Sequence, residues 1–424
     1  MQYWPSICKP SLKPLKRLCR MNPEVLPEHT LPDFEFDYID IGSVFLSEGV
    51  VARERMTFAD APSRARKPVR KGDIIISTVR TYLRAIARIG DEDDGAIVST
   101  GFAVCRAHRG VDPSFLFRVM QSEPFIEQVV ASSTGVSYPA INPSTLGNIT
   151  LPCPDLPTQK AIADFLDRET ARIELLIEKK RQLVARLAER EKALLHLMFS
   201  QIKAKRWRTR HLGNLRNGAG FPVELQGNPN EDIAFFKVKH LKTFGLDAAI
   251  TATEDTVSAE TARKLRATVF PVGTIVFAKI GAALLLGRFS MIGRPACLDN
   301  NMAAFVPNKR MIDADFCLLA LSQIDMATMV QPGAVPSLST EAFYSYELPL
   351  PSLEEQQELV SRFRSERATL SSIADATKTS IERLREFRAA LITAAVTGQI
   401  NPETWSRRGT TDRRLDQIEA EMGA

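Results

Sequence analysis

Two long stretches of the chain repeat apolar residues at helical spacing with no glycine or proline to interrupt them, Thr158 to Lys205 and Ser352 to Thr397. In the first, Ile173, Leu176, Leu183, Leu187, Leu194 and Leu197 fall near a seven-residue period broken by Lys180 and Arg190. In the second, Leu370, Ile373, Leu384, Phe387 and Leu391 keep the same spacing. A narrow apolar stripe on a long helix predicts a coiled-coil seam, because a 3.5-residue period holds one face against a partner helix. Each stretch follows a proline-rich lead, LPCPDLP or LPLPSL. Ser352 and Glu355 have the spacing of a capping box, and Gly398 stands where a C-terminal cap belongs.

The rest of the chain has a shorter rhythm. Runs rich in Val, Ile and Phe, such as Asp73 to Ser77 and Thr274 to Ala278, are bounded by Gly, Pro and Asp and predict strands. Short helical patterns sit at Ser114 to Ser122 and Asp315 to Gln323.

These blocks come in pairs. LPCPDLPTQKAIADFL from Leu151 returns as LPLPSLEEQQELVSRF from Leu348, an offset of 197 residues that places Gln159 on Gln356. TGVSYPAIN ending at Asn142 returns as PGAVPSLS ending at Ser339. GDIIIST at Gly72 and DPSFLFRVMQS at Asp112 return as GTIVFAK and DADFCLLALSQ, both 201 residues on. The period is too long for a solenoid and describes a duplicated domain. The predicted architecture is α+β: two similar mixed α/β domains separated by long helices that form an antiparallel coiled coil, with pseudo-two-fold internal duplication. The expected boundaries are 1–154 and 206–351 for the domains, 155–205 and 352–398 for the helices, and 399–424 for a charged tail. The first helix leads from one domain to the other and the second returns, which is why the pair is expected to be antiparallel.

Composition adds exclusions. With 424 residues, 44% hydrophobic and 25% charged, the chain is an ordinary globular protein of more than one domain. No apolar run reaches the ~18 residues of a membrane span, and the start MQYWPSICKPSLKPLKR lacks the apolar core of a secretory signal, so a cytoplasmic protein is expected. Six scattered cysteines show no CxxC spacing, and five histidines never fall at metal-ligand spacing, so no metal and no cofactor is expected. The Asn-Pro steps at Asn22, Asn142, Asn228 and Asn401 are followed by Glu, Ser, Asn and Glu, none of which fits the catalytic tetrapeptide of an amino-methylating enzyme. A phosphate-gripping GxxxxGK[ST] loop is absent. The acidic run Asp91 to Asp94 lacks the ligand spacing of a calcium loop and is expected to be a solvated turn. No catalytic residue is expected.

Binding is better supported. A net charge of +5 is mild, but cations gather locally, at Arg53, Arg55, Arg64, Arg66, Lys67, Arg70 and Lys71, and again around Arg80, Tyr82, Arg84 and Arg88. Clusters of Lys and Arg beside aromatic and small polar residues suit phosphate neutralisation and base contacts. The candidate DNA-binding residues are Arg80, Arg84, Ser137 and Tyr138 in the first copy and Lys237, Lys239, Lys279, Arg288 and Ser337 in the second. The alternative for these positions is ordinary solvated surface on a coiled-coil interaction or scaffold protein.

The paired motifs LPCPDLPTQKAI and LPLPSLEEQQEL, with GDIIISTVRTYL, GVSYPAIN and the terminal TGQI at Thr397, resemble the DNA specificity subunit of type I restriction-modification systems. The resemblance covers nearly the whole chain. It implies that each α/β domain is a target-recognition domain reading one half of a bipartite site on double-stranded DNA. It also implies that the helices dock methyltransferase (M) subunits, two of them expected, with restriction (R) motor-nuclease subunits joining through the complex. Methylation and cleavage then lie outside this chain. An orphan specificity subunit has the same sequence features. Departures from the pattern are Thr158, where the second copy has Glu355, and a first helix ending HLMFS without Thr-Gly; both are expected to affect packing more than identity.

Overall fold

The computed structural model describes residues 11–242, 249–402 and 405. Apart from its first residues and Trp405, the tail expected at 399–424 lies outside the described residues, as does Cys8. The chain packs as two compact units, one made of the residues up to Gln182 together with those from Thr377 on, the other of Leu183–Ala376. Each unit therefore combines an α/β domain with part of both long helices.

In the first unit one four-stranded sheet runs in the order Cys19–Met21, Phe102–Ala107, Ile74–Ser77, Ile86–Arg88, and a second in the order Glu54–Thr57, Glu35–Ile39, Ile97–Ser99, Ala65–Pro68. All neighbours are antiparallel except Glu35–Ile39 and Ile97–Ser99. Strand Ile74–Ser77 is buried throughout. Because successive side chains point to opposite faces, Ile74 and Ile76 enter a core shared with the helices, while Ile75 enters another with Ile39, Val98 and Val104.

The second unit repeats this plan. Strand Ile275–Ala278 pairs with Met302–Pro307 and Phe289–Ile292 in a five-stranded sheet, and the parallel pair recurs as Ile233–Phe236 with Ala296–Leu298. Ile275 and Phe277 face a core with Phe316 and Phe343; Val276 and Ala278 face one with Ala234 and Phe236. The duplication read from the sequence is thus a duplication of layers and of strand pairing. The expected helical segments appear as Pro113–Met120 and Ala314–Leu321, each capped by an aspartate, Asp112 or Asp313, whose carboxylate accepts from the first turn.

The two long helices span Leu156–Ser200 and Leu353–Val396. Their starts differ as the sequences differ. The Asp155 carboxylate accepts from the Thr158 N–H at 2.9 Å, whereas Ser352 and Glu355 bond reciprocally, at 2.8 and 3.3 Å. The second helix ends at Gly398 in the left-handed region (φ 71°), where the Gln399 N–H reaches the Ala394 carbonyl at 2.8 Å and the Gly398 N–H that of Ala395.

A glutamine in the first turn of each long helix joins helix to domain. The buried Gln159 accepts the Asp112 N–H through Oε1 at 2.9 Å and donates Nε2 to the Pro154 carbonyl at 2.8 Å. The buried Gln356 accepts the Asp313 N–H at 2.8 Å and donates to the Pro351 carbonyl at 2.9 Å. Each amide thus satisfies the N–H of the residue capping the short helix and one carbonyl of the proline-rich lead.

Within each unit the long helices pair. In the first, Ile173, Leu176 and Ile177 share a core with Ile381, Leu384, Leu391 and Ala395, and Glu174 meets Arg388 at 3.0 Å. In the second, Leu195 and Met198 pack with Val360 and Phe363, and Glu191 meets Arg367 at 2.6 Å. Numbering falls along one helix as it rises along the other, so the pairing is antiparallel. Of the seam positions expected from apolar spacing, Ile173, Leu176, Leu384 and Leu391 are buried, Leu187, Leu194 and Leu370 half-buried, and Leu183, Leu197, Ile373 and Phe387 exposed. Alternating three- and four-residue steps of buried or half-buried positions instead pass through Ile177, Lys180, Val184 and Glu191, and through Arg367, Thr377, Ile381 and Arg388. Counting apolar residues alone skips the polar ones that hold the seam in register.

Replacing Gln159 by Ala leaves a buried N–H and a carbonyl without their partner, a loss of about 1–3 kcal/mol. Gln159→Ala is expected to raise hydrogen exchange in 113–131 and 156–182, and Gln356→Ala in 314–321 and 353–376, each leaving the other unit's protection unchanged.

Candidate nucleic-acid interface

In each unit the fully buried inner strand of one sheet is followed by a cation, three residues on at Arg80 and directly at Lys279. In the first unit, Ile74–Ser77 runs into Arg80, which adopts the left-handed conformation (φ 50°, ψ 49°), followed by the single turn Thr81–Leu83 and by Arg84, also left-handed (φ 55°, ψ 37°). Two non-glycine residues in this region carry a backbone cost of order 1–3 kcal/mol each, held here by the surrounding contacts. The Thr81 hydroxyl lies 2.8 Å from that of Ser133, and the strand end pairs with the glycine loop through the bridge Val79–Ala140.

That loop carries Ser137 and Tyr138. It is closed by mutual backbone bonds between Thr134 and Ala140, 2.9 Å each, and turns at Gly135 with φ 103°, where an added Cβ would stand 3.1 Å from the Tyr138 carbonyl oxygen. The Arg80 guanidinium lies over the Tyr138 ring, 4.9 Å from its centre. Arg80, Ser137 and Tyr138, distant in sequence, thus form one exposed corner. Arg84 is at its edge with both guanidinium nitrogens on Glu123, at 2.6 and 2.9 Å.

The second unit pairs its matched strand end and loop in the same register, but the cation stands two residues earlier: Ile280 takes the place of Val79, so the half-buried Lys279 answers Thr78 and Gly281 answers Arg80. Strand Ile275–Ala278 runs into Lys279, whose carbonyl accepts from the Leu338 N–H at 2.9 Å; Ile280 bridges Ser337, and the Gly281 N–H donates to the Pro336 carbonyl at 2.8 Å. Lys279 and Ser337 are therefore brought together. Arg288 follows, half-buried, just before strand Phe289–Ile292. Among the described residues, neither Arg80 nor Lys279 has a carboxylate within ion-pair distance.

Lys237 and Lys239 lie elsewhere, beyond the end of strand Ile233–Phe236. The Lys237 ammonium sits 2.8 Å from the buried Asp255 carboxylate, 2.6 Å from the Gln226 side-chain amide oxygen Oε1 and over the Phe221 ring. Burial opposes ionisation of Asp255, but Lys237 and the Gly227 N–H outweigh it and hold the carboxyl below its ordinary 3.8. Lys239 pairs with Glu254, which raises the lysine's pKa and lowers the glutamate's.

The basic run from Arg53 to Lys71 is largely consumed by the fold. Arg53 pairs with Glu92 and Asp93, Arg55 with Glu35, Arg64 with Asp40, Arg70 with Glu24 and Lys71 with Asp91. Lys67 donates to the Thr100 and Phe102 carbonyls, and burial lowers its pKa. The acidic turn Asp91 to Asp94 takes the two ends of this run, Arg53 and Lys71. In the sequence each cluster is visible; their mutual neutralisation depends on long-range pairing between strands and turns. Tyr82, named with the cations around Arg80, is exposed; Leu83 beside it and Leu285 and Leu286 beyond Lys279 are exposed too and no sequence pattern singles them out, because an exposed Leu resembles a core Leu until the fold places it.

A family model described as the type I restriction modification DNA specificity domain matches residues 61–185 and 206–383. The specificity subunit of the type I restriction enzyme HindI from Haemophilus influenzae is 29% identical over 141 residues, 32% of this chain and 30% of that subunit. The MjaVIII specificity subunit of Methanocaldococcus jannaschii is 29% identical over 137 residues, 31% of each chain. The alignments thus span under a third of these relatives' length. A chain from a solved structure concerned with complex assembly and conformational transition of the type I R-M system shares the fold, with a TM-score of 0.66 and 24% identity over 94% of this chain and all of that one.

Breaking a buried ion pair from one side costs about 3–5 kcal/mol. Asp255→Asn is therefore expected to lower the urea midpoint at neutral pH. Since the Asp255 pKa is depressed on folding, its contribution is present above 3.8 and lost as pH falls through the folded value. Variant and wild-type midpoints should therefore converge in acid.

Proposed function

Because the chain belongs to the type I restriction-modification DNA specificity family, we propose that it binds double-stranded DNA as a specificity subunit, each α/β domain reading one half of a bipartite site. The two domains are taken as 1–154 and 206–351, with the helical segments 155–205 and 352–398 docking two methyltransferase subunits. Restriction subunits join through that complex, in the cytoplasm, and this chain contributes recognition without chemistry of its own. Among the described residues no helix is long and apolar enough to cross a membrane.

The observation that carries this reading is that in both units a buried strand ends against a loop of matched sequence with a cation at or just beyond that end. A buried strand delivers a cation, Arg80 or Lys279, to a surface loop, and a second loop of matched sequence packs against it. Two surfaces with unpaired cations suit a polymer that offers the same phosphate pattern repeatedly. Arg80 and Lys279 are the leading phosphate contacts, with Ser137, Tyr138 and Ser337 beside them. Arg84, Arg288 and Lys239 are secondary, and Lys237 acts through the fold by holding Asp255. The paired cations from Arg53 to Lys71 are exposed enough in part to exchange a carboxylate for a phosphate, since surface ion pairs contribute only ~0–1 kcal/mol.

Arg80→Ala and Lys279→Ala are each expected to weaken binding to selected and scrambled duplexes alike and to reduce the salt dependence by about one counterion. Unchanged affinity and unchanged salt slope, measured by fluorescence anisotropy, would remove the residue from the interface. In the host cell, deleting the chain should abolish adenine methylation at a single bipartite motif; an unaltered methylome would overturn the proposal.

A further inference from the structure

The turn after the buried strand enters and leaves through the left-handed region in both units, but different residues meet that demand. In the second unit they are Gly281 (φ 77°) and Gly287 (φ 58°), and the Gly287 N–H closes the turn on the Leu284 carbonyl at 3.1 Å. In the first they are Arg80 (φ 50°) and Arg84 (φ 55°), and the Arg84 N–H closes it on the Thr81 carbonyl at 3.1 Å. Strand pairing fixes the match: Ile76 faces Ile86 as Phe277 faces Phe289, and Arg84 and Gly287 each stand two residues before the facing strand begins. Glycine is the residue such a backbone asks for, and an arginine there is strained. What Arg84 gains from its half-exposed pair with Glu123 is smaller than that strain. Nor does the turn need the pair to stay in place. In the second unit a Cβ added at Gly287 would stand 3.7 Å from the Met326 side chain, and the position answering Glu123 is the buried Ile324. The first unit therefore carries a strained arginine that neither the backbone nor the packing requires.

The pair with Glu123 also sets Arg84 apart from the other cations of the interface. Its charge is balanced, so it adds little to the sequence-independent pull on phosphate that Arg80 and Lys279 exert. Its hydrogen-bond donors are not used up. Nη1 and Nη2 point at the two Glu123 oxygens, at 2.9 and 2.6 Å, while among the described residues Nε has no partner, and the side chain is 42% exposed. The Nε edge of the guanidinium thus still presents two parallel N–H groups, one from Nε and one from the neighbouring Nη. Glu123 is itself held: it opens the helix Glu123–Ala131, and its backbone N–H donates to the Thr393 hydroxyl at 3.2 Å. Resting on the duplex-binding reading above, we propose that Arg84 is a specificity-determining residue of the first domain, reading the O6 and N7 atoms of a guanine with its Nε edge while Glu123 fixes its orientation. Guanine is the base that offers two acceptors side by side in the major groove, the partner an arginine fork suits. Glu123 is a positioning residue: it keeps the guanidinium in one plane and cancels the charge that would draw it to the nearest phosphate. A base-reading residue differs between domains that read different half-sites, and Arg84 against Gly287 is such a difference.

The test uses the full chain, a duplex that the wild type enriches from a random-sequence pool, single-base substitutions of that duplex, and a scrambled duplex, with affinities read by fluorescence anisotropy over a salt series. The charge-neutral variant Arg84→Ala/Glu123→Ala should lose about 5- to 150-fold in affinity for the enriched duplex and become indifferent to substitution of one guanine in one half-site. Its salt slope should stay at the wild-type value. Glu123→Gln turns the arginine into a free cation, so binding to the scrambled duplex should tighten and its salt slope steepen by about one counterion, while preference for that guanine falls. A double variant whose salt slope drops by about one on both duplexes makes Arg84 a phosphate contact and overturns the assignment. A double variant that discriminates at every guanine as the wild type does overturns it too; either result leaves the duplex-binding reading standing. Absence of binding to every duplex, by the wild type as well, overturns both.

Discussion

The first turn of each long helix holds a glutamine almost out of contact with water, and the rest of the molecule depends on how that amide is used. A buried primary amide must find partners for both ends or lose the hydrogen bonds it had in water. Gln159 and Gln356 find them in the same places, the N–H of the aspartate that caps a short helix and a carbonyl of the proline-rich lead. The prolines matter because they lack an N–H and fix the approach of the chain. Together these constraints set the direction in which a helix of 45 or 44 residues leaves its domain.

From that joint outward, each unit is held by ordinary burial, with charge used sparingly at the helix pair. Glu174 with Arg388 and Glu191 with Arg367 occupy positions where a leucine would pack as well. A seam of leucines alone tolerates sliding by a heptad, because every register buries similar area; an ion pair is satisfied in one register only. Arg388 illustrates the cost, since burial lowers its pKa and Glu174 counters this only in part. The exposed Leu183, Ile373 and Phe387 flank the seam and leave apolar surface on the helices.

Inward from the joint, the buried strands Ile74–Ser77 and Ile275–Ala278 carry the candidate interface to the surface. Each is fixed on both faces and both edges, so the residues after it are positioned as firmly as a loop residue can be. The left-handed backbone of Arg80 and Arg84 is sustained by that anchoring together with the Thr81–Ser133 contact and the glycine loop. Gly135 is needed for its conformation, whereas its counterpart Gly333 has an ordinary φ and would meet only the Val335 carbonyl oxygen at 3.9 Å, so the two loops reach the matched bridge by different turns.

Much of this was present in the sequence because it is local or repeated. Helix length follows from uninterrupted helix formers, the caps from Ser352, Glu355 and Gly398, and the duplication from matched blocks whose members, Asp112 with Gln159 and Asp313 with Gln356, bond to one another within each copy. The corner residues Arg80, Ser137 and Tyr138 were also legible, as neighbours of matched strands and loops. Only the tertiary structure decided which cations remain available. Whether Lys237 faces solvent or Asp255, and whether Arg53 to Lys71 form a basic face or half of an ion-pair network, depends on carboxylates up to 46 positions away in the chain, as Arg70 and Glu24 are. The same holds for the seam, where polar residues sit at core positions because the opposite helix supplies their partners. A charge is read from one residue, but its neutralisation belongs to a pair that the fold must bring together.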